Sequence, residues 1–283
     1  MEYHQDRFDD YSLMIFKEEQ LLAVFPANIS EAIVFSHQGL TYGGLVFKNE
    51  LNTKILVEVY ETLVAFLKAE NIKSIVVKPL LDFYNFQRTK SVGFWQTQDN
   101  SAVIKRNIVL AIDFNSEYKI HKTKLKRYKK LEKNGFTIKE GKLEFEKFWN
   151  TILVKRLKEK HNSKPIHDLS EIQYLHDRFE SEICQYNIYN DENLLAGITI
   201  FKKGLVVKSQ YGMASVEGEQ SNALDMLFVY LIHKFRDEGM HYFSMGTVND
   251  DSKLGFSKGM LKQKQELGCS TYFQDIIKVE LND

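Results

Sequence analysis

The sequence predicts a mixed α/β protein (α+β, with mixed sheets) made of two successive units that repeat one order of parts. Each half holds short alternating runs, then one long amphipathic stretch, then a buried apolar run. A Tyr-Gly pair marks each half: Tyr42-Gly43 lies 32 residues before Ser74, and Tyr211-Gly212 lies 30 residues before His241. Proline is scarce, 3 in 283 residues, beside 20 Phe and 14 Tyr, which fits packed sheets and helices rather than linkers. Equal spacing is what a duplicated unit leaves behind. Two unrelated strand–helix–strand units would give it too.

In the first half, alternation and turn residues place strands at 12–16, 21–28, 31–35 and 42–47. The stretch "LNTKILVEVYETLVAFLKAENI" carries Leu56, Val59, Tyr60, Leu63 and Phe66 or Leu67 at helical spacing. "SIVVKPLL" then reads as a buried strand. In the second half, "FEKFWNTILVKRLKEKH" and "SEIQYLHDRF" read as helices, the latter with Ser170 as N-cap. "ICQYNIYNDENLLAGITIF" reads as two strands around an Asp/Glu/Asn turn, and "LVVKSQYGMA" as a third. "NALDMLFVYLIHKFRDEG" is a helix with Leu224, Leu227, Phe228, Leu231 and Phe235 on one face and Gly239 as its stop. "HYFSMG" is the next strand.

Between the halves, eight Lys/Arg lie between Lys119 and Lys133. Leu125, Tyr128 and Leu131 give this stretch a docking stripe with a basic exterior, and Gly135 ends it. The expected domains are therefore 1–116, a basic connecting helix at 117–134, and 135–283.

Lys+Arg and Asp+Glu both number 38, so there is no global pull towards nucleic acid or membrane, and charge arguments must be local. Cys184 and Cys269 are too few for a disulfide framework and lack metal-ligand spacing, so no metal is expected. No apolar run approaches membrane-spanning length. The expected setting is the cytoplasm.

Several segments in order resemble the tandem-GNAT proteins, the FemAB-like and related GNAT-type acyltransferases. They are "SHQGLTYGGLVF", the basic helix running into "KKLEKNGFTIKEG", "LKEKHNSKPIHDLSEIQYL", "SQYGMAS", "ALDMLFVYLI" and "FSMGTVNDDSKLGFSKGMLKQKQELG". The resemblance implies two GNAT-like domains in tandem. The first begins directly at a strand, as if the family's opening strand and helix were missing or reduced. It also implies a sheet whose fourth and fifth strands splay apart around an acyl donor, either an acyl-CoA or an aminoacyl-tRNA. The acceptor it implies is an amine of a cell-envelope or sugar precursor. The short connector, without a long coiled-coil insertion, leans the donor towards an acyl-CoA.

This chain departs from the superfamily's anion-binding turn. "MASVEGEQSNAL" places Glu217 and Glu219 where a phosphate site calls for glycine or arginine, and "LVFKNELNTK" has no glycine after Gly44. These departures favour a second reading, a catalytically silent binding or scaffold protein.

On the resemblance, the transfer site gathers at the splayed strand ends. Lys264 matches the lysine of a FemAB-type element and would offset oxyanion charge, with Tyr211 and Asn249 as further catalytic candidates. Gln210, Gly212 and Thr247 would hold the donor, with a bulge at Gly212 freeing an amide. Each residue also has a plainer reading. Tyr211 suits a core tyrosine, Gln210 a sheet face, and Asn249 with Asp250 a turn or cap. Lys264, near Lys258 and Lys262, suits a solvated helix face. His161 is a candidate base or a helix-end residue. The basic stretch from Lys119 to Lys133 suits a tRNA acceptor stem, a phosphorylated sugar–lipid, or a solvated helix.

Overall fold

A computed structural model describes residues 6–41, 43–48, 51–84, 92–129 and 135–281. The chain folds as two compact units, one of Met1–Asn107 with Phe273–Asp283, the other Ile108–Tyr272. The expected boundaries at 116 and 134 therefore shift. The basic stretch belongs to the second unit, because Leu125 and Tyr128 pack into that unit's core. Leu131, Lys133 and Tyr42 lie outside the described residues.

The first unit holds strands β1 (Asp9–Asp10), β2 (Leu13–Lys17), β3 (Gln20–Phe25), β4 (Asn28–Ser30), β5 (Ile33–Phe35) and β6 (Val46–Phe47). Helix α1 (Thr53–Ala69), strand β7 (Ser74–Val77) and helix α2 (Val92–Gln96) follow. The Asn52 side chain caps α1 by accepting from the Ile55 amide at 3.0 Å. The α1 stripe Val59, Tyr60, Leu63 and Leu67 is buried, as its spacing predicts. β5 runs parallel to β7, from Ile33↔Ser74 to Phe35↔Val76, with α1 in the crossover. The chain returns at its end to lay Ile277–Glu280 antiparallel on β7. Gly43 donates to the Lys78 carbonyl beyond this parallel pair, and a Cβ there would lie 1.9 Å from the Ser36 carbonyl oxygen. Only glycine fits that approach.

The second unit begins within β8 (Ser101–Asp113). Helix α3 (Lys122–Tyr128), strand β9 (Phe136–Glu140) and helix α4 (Lys142–Phe148) come next. A π-helical turn, Trp149–Leu153, runs into α5 (Val154–His161), and α6 (Leu169–Arg178) follows. Then come β10 (Ile183–Asn190), β11 (Asn193–Lys203), β12 (Val206–Ala214), α7 (Val216–Ser221), α8 (Ala223–Asp237), β13 (Tyr242–Thr247), α9 (Lys258–Glu266) and β14 (Ser270–Glu280), whose later residues rejoin the first unit. The N-cap of α6 is Asp168 rather than Ser170, because Asp168 and Glu171 form a reciprocal capping box.

The strand order here is β8-β13-β12-β11-β10-β9. β9 to β12 pair antiparallel, β12 to β13 parallel, and β13 to β8 antiparallel. Both units thus share one pattern: a strand, a long helix, a parallel partner, then an antiparallel strand beside it.

Both faces of β10 and β11 are covered, which explains the mixed sequence "ICQYNIYN". Tyr186 and Ile188 join the core cluster that includes Met226, Leu227, Leu231 and Phe235 of α8. The opposite face buries a polar chain. Thr199 Oγ1 donates to Gln185 Oε1 at 2.6 Å, Gln185 Nε2 to Asn187 Oδ1 at 2.8 Å, and Asn187 Nδ2 to Glu144 Oε2 at 2.8 Å. Tyr189 Oη also donates to Glu144. Leaving one such group unpaired costs about 1–3 kcal/mol, so the chain of bonds fixes α4 against the sheet.

Candidate active site

Two bulges open a wedge in the second unit. β12 and β13 pair only from Val206↔Tyr242 to Lys208↔Ser244. On β12, Ser209 faces Ile200 and Tyr211 faces Thr199, so Gln210 is the extra residue. On β13, Ser244 faces Ala111 and Thr247 faces Val109, so β13 also carries one extra residue, and Gly246 sits there at φ +72°. Each bulge adds local bend and twist, and the strands part with Gln210–Gly212 on one side and Thr247 on the other. The expected bulge at Gly212 lies instead at Gln210, because Gly212 keeps its place opposite Ile198.

The β13 side brings Thr247, Asn249 and Lys264 together. Asn249 Oδ1 accepts from the Ile108 amide at 2.7 Å and from Thr247 Oγ1 at 3.2 Å, while its Nδ2 donates to the Gly255 carbonyl at 3.1 Å. Asn249 therefore pins the base of a closed loop, which ends where Ser257 caps α9. Lys264 Nζ donates to the Thr247 carbonyl at 2.9 Å. Burial lowers its ammonium to about 8, although Cys269 beside it pulls the other way. Burial also pushes the Cys269 thiol up to about 12, so it stays a thiol at neutral pH.

The β12 side brings Gln210 and Tyr211 together with two residues that sequence reasoning missed, Lys208 and His167. Lys208 Nζ donates to Gln210 Oε1. The Tyr211 hydroxyl accepts from the His167 amide at 3.1 Å and lies 2.7 Å from His167 Nδ1. Trp149 Nε1 donates to the His167 carbonyl at 3.2 Å and its ring meets Tyr211 edge-on at 5.3 Å. The π-helical turn at Trp149 thus frames Tyr211, a placement common where helices serve function. Burial raises the Tyr211 phenol, against the His167 amide bond that lowers it. Gly212 faces the other way, towards Phe228 and Leu224 of α8. His161 ends α5.

The turn after β12 is occupied from within. Ser215 caps α7, and Glu219 Oε1 accepts from Arg156 Nη2 at 2.8 Å and from Lys160. Lys160 and Arg156 together hold that carboxyl below the usual range. Two cations near a would-be phosphate site are already paired with a carboxylate of this chain. Beyond α3, a cleft of about 710 Å³ is lined by Lys119, His121, Lys122, Lys262, Gln265 and Glu266. Among the described residues no group of His, Cys, Asp or Glu could hold a metal ion, and no helix is long and apolar enough to cross a membrane.

Two units with a shared strand–helix–strand pattern, the second parted at a bulged parallel pair, define a FemAB-like, GNAT-type fold. Solved structures with that fold cover nearly the whole chain. FemX superposes with a TM-score of 0.69 at 11% identity, over 98% of this chain and 89% of its own. L-PGS from Bacillus licheniformis gives 0.60 at 10% identity, over 97% and 85%. The C-terminal domain of a putative lysylphosphatidylglycerol synthetase from Agrobacterium fabrum gives 0.59 at 10%, over 96% and 84%. No family model matches the sequence. No curated protein matches it either.

Proposed function

We propose that this protein transfers an acyl or aminoacyl group to an amine of a cell-envelope or sugar precursor, at the wedge between β12 and β13. The observation that carries this reading is Lys264. A lysine with its pKa lowered to about 8 sits at the edge of a cleft opened by two strand bulges.

Transfer needs a carbonyl held in place, a stabiliser for its developing oxyanion and an acceptor for the amine proton. The backbone freed at the Gln210 bulge, beside Gly212 and with Thr247 opposite, would hold the donor carbonyl. The Lys264 ammonium, still largely charged at pH 7, would offset the oxyanion. Tyr211 with His167 Nδ1 would take the proton. Asn249 would act by fixing the loop that carries Thr247.

The Glu219 clasp disfavours a free coenzyme A pyrophosphate at α7, which turns the preference from an acyl-CoA towards an aminoacyl-tRNA. Exposed Lys119, Lys122 and Lys126 on the α3 segment and Lys262 on α9 would then meet the phosphodiester backbone.

Melting curves with acetyl-CoA, longer acyl-CoAs and total tRNA test the reading. A donor that binds only the folded state raises Tm with the logarithm of its excess. A shift with tRNA alone supports the aminoacyl donor, and a shift with an acyl-CoA restores the thioester. No shift with any donor favours a silent binding protein, the reading to which the Glu219 clasp also lends support.

A further inference from the structure

Helix α9 is held in an unusual way. None of its residues is fully buried, Lys264 is half-buried, and Leu261 alone packs partly against the core. A nine-residue helix without an apolar face has little to fix it in place. Its anchors are polar and converge on one carboxylate, Asp225, in the first turn of α8. Gln263 Nε2 donates to Asp225 Oδ1 at 2.9 Å. The buried Lys124 Nζ donates to Asp225 Oδ2 at 2.6 Å, and Arg127 Nη1 to the same oxygen at 2.9 Å. Lys124 also lies 3.4 Å from Glu266 on α9, and the His121 amide donates to the Glu266 carbonyl at 2.7 Å.

Asp225 is 6% exposed and Lys124 4%. Buried ion pairs are costly to build and give little net stability, so their use is better sought in geometry than in energy. Gln263, bonded to Asp225 directly, and Glu266, tied to it through Lys124, bracket Lys264 on both sides. We propose that Asp225 is a positioning residue: tied to α3 and α9 at once, it holds α9 where the Lys264 ammonium meets the Thr247 carbonyl. What that seating does in transfer rests on the reading above. The seating itself does not.

The test reads Lys264 directly, without a substrate. Competitive acetylation with acetic anhydride between about pH 7 and 10, followed by mass spectrometry of the Lys264 peptide, gives the midpoint of its titration. Cys269 is the ionisable group beside Lys264, and it remains a thiol over most of this range. Asp225→Asn removes the charge and keeps the shape. Gln263→Ala cuts the direct bond from α9 to Asp225 and leaves the buried pair intact.

If Asp225 positions α9, both variants free Lys264 towards solvent and raise its midpoint, Asp225→Asn more. At pH 8 a rise of the midpoint from about 8 to about 9 cuts the neutral fraction of Lys264 from about one half to about one tenth, roughly fivefold. Loss of a nearby negative charge without movement would lower the midpoint instead, so the sign separates seating from simple electrostatics. Folded variants that keep the parent midpoint, or lower it, overturn the proposal. Should Asp225→Asn fail to fold, Gln263→Ala decides alone. The transfer reading fails separately, through an active Lys264→Ala enzyme.

Discussion

Lys264 Nζ bonds the carbonyl oxygen of Thr247 at 2.9 Å, so the helix after the Asn249 loop is tied to the end of the strand before it. This bond uses one of three ammonium donors and leaves two for a ligand. Lys264→Ala is expected to lower turnover by about 10²–10³ while Tm changes little, as for loss of one oxyanion donor. Single-turnover kinetics with the donor found by melting curves checks it.

The same lysine predicts a pH profile. Its charged form dominates below about 8 and is lost above it. Turnover that needs the cation should fall as pH rises through about 8. Lys264→Arg, always charged, should flatten that limb. A rate that climbs steadily through this window would remove the cation from the mechanism.

Tyr211→Phe keeps the ring against Trp149 and deletes the hydroxyl that His167 meets. The His167 amide then loses its partner. We expect a loss of roughly 1–3 kcal/mol in urea unfolding and a larger fall in turnover. A variant as active as the parent would assign Tyr211 to packing alone.

Gly197 faces the buried polar chain. A Cβ there would lie 2.4 Å from Phe148 Cδ2 and 2.5 Å from Asn187 Oδ1. Gly197→Ala should destabilise the protein by about 1–3 kcal/mol through overpacking, read from its urea midpoint.

Burial raises the Glu144 carboxyl, but its bonds from Tyr189, Asn187 and Lys147 outweigh this and hold it below the ordinary value. A carboxyl lowered on folding adds stability that is present above its unfolded pKa, about 4.3, and is lost as pH falls through the folded value. Urea midpoints should therefore drop on acidification below about pH 4. Glu144→Gln should show a smaller drop from a lower starting stability.

Much of this fold is legible in the sequence. The apolar spacing of Val59, Tyr60, Leu63 and Leu67 gives α1 its buried stripe, and Gly239 stops α8 at φ +77°. The β12–α8–β13 order is legible too, with Lys264 on the helix that follows. Other parts depend on partners far along the chain. β8 is hidden because Lys105 and Arg106 interrupt its apolar pattern, and Arg106 finds its bidentate partner at Asp275. His167 is a lone histidine until the fold brings it to Tyr211, 44 residues on. The bulge at Gln210 follows from register with β11, which local composition does not encode. Asp225 reads as an ordinary first-turn acid, and only packing reveals that α3 and α9 meet on it.

The return of Ile277–Glu280 to β7 also sets an order of events during synthesis. Every residue of Ile108–Tyr272 is polymerised before the strand that flanks β7 is made. The second unit is complete in sequence while the first still has an open edge along Ser74–Val77. The domain that starts first finishes last, and in the interval its apolar β7 edge is the nascent chain's exposed pairing surface.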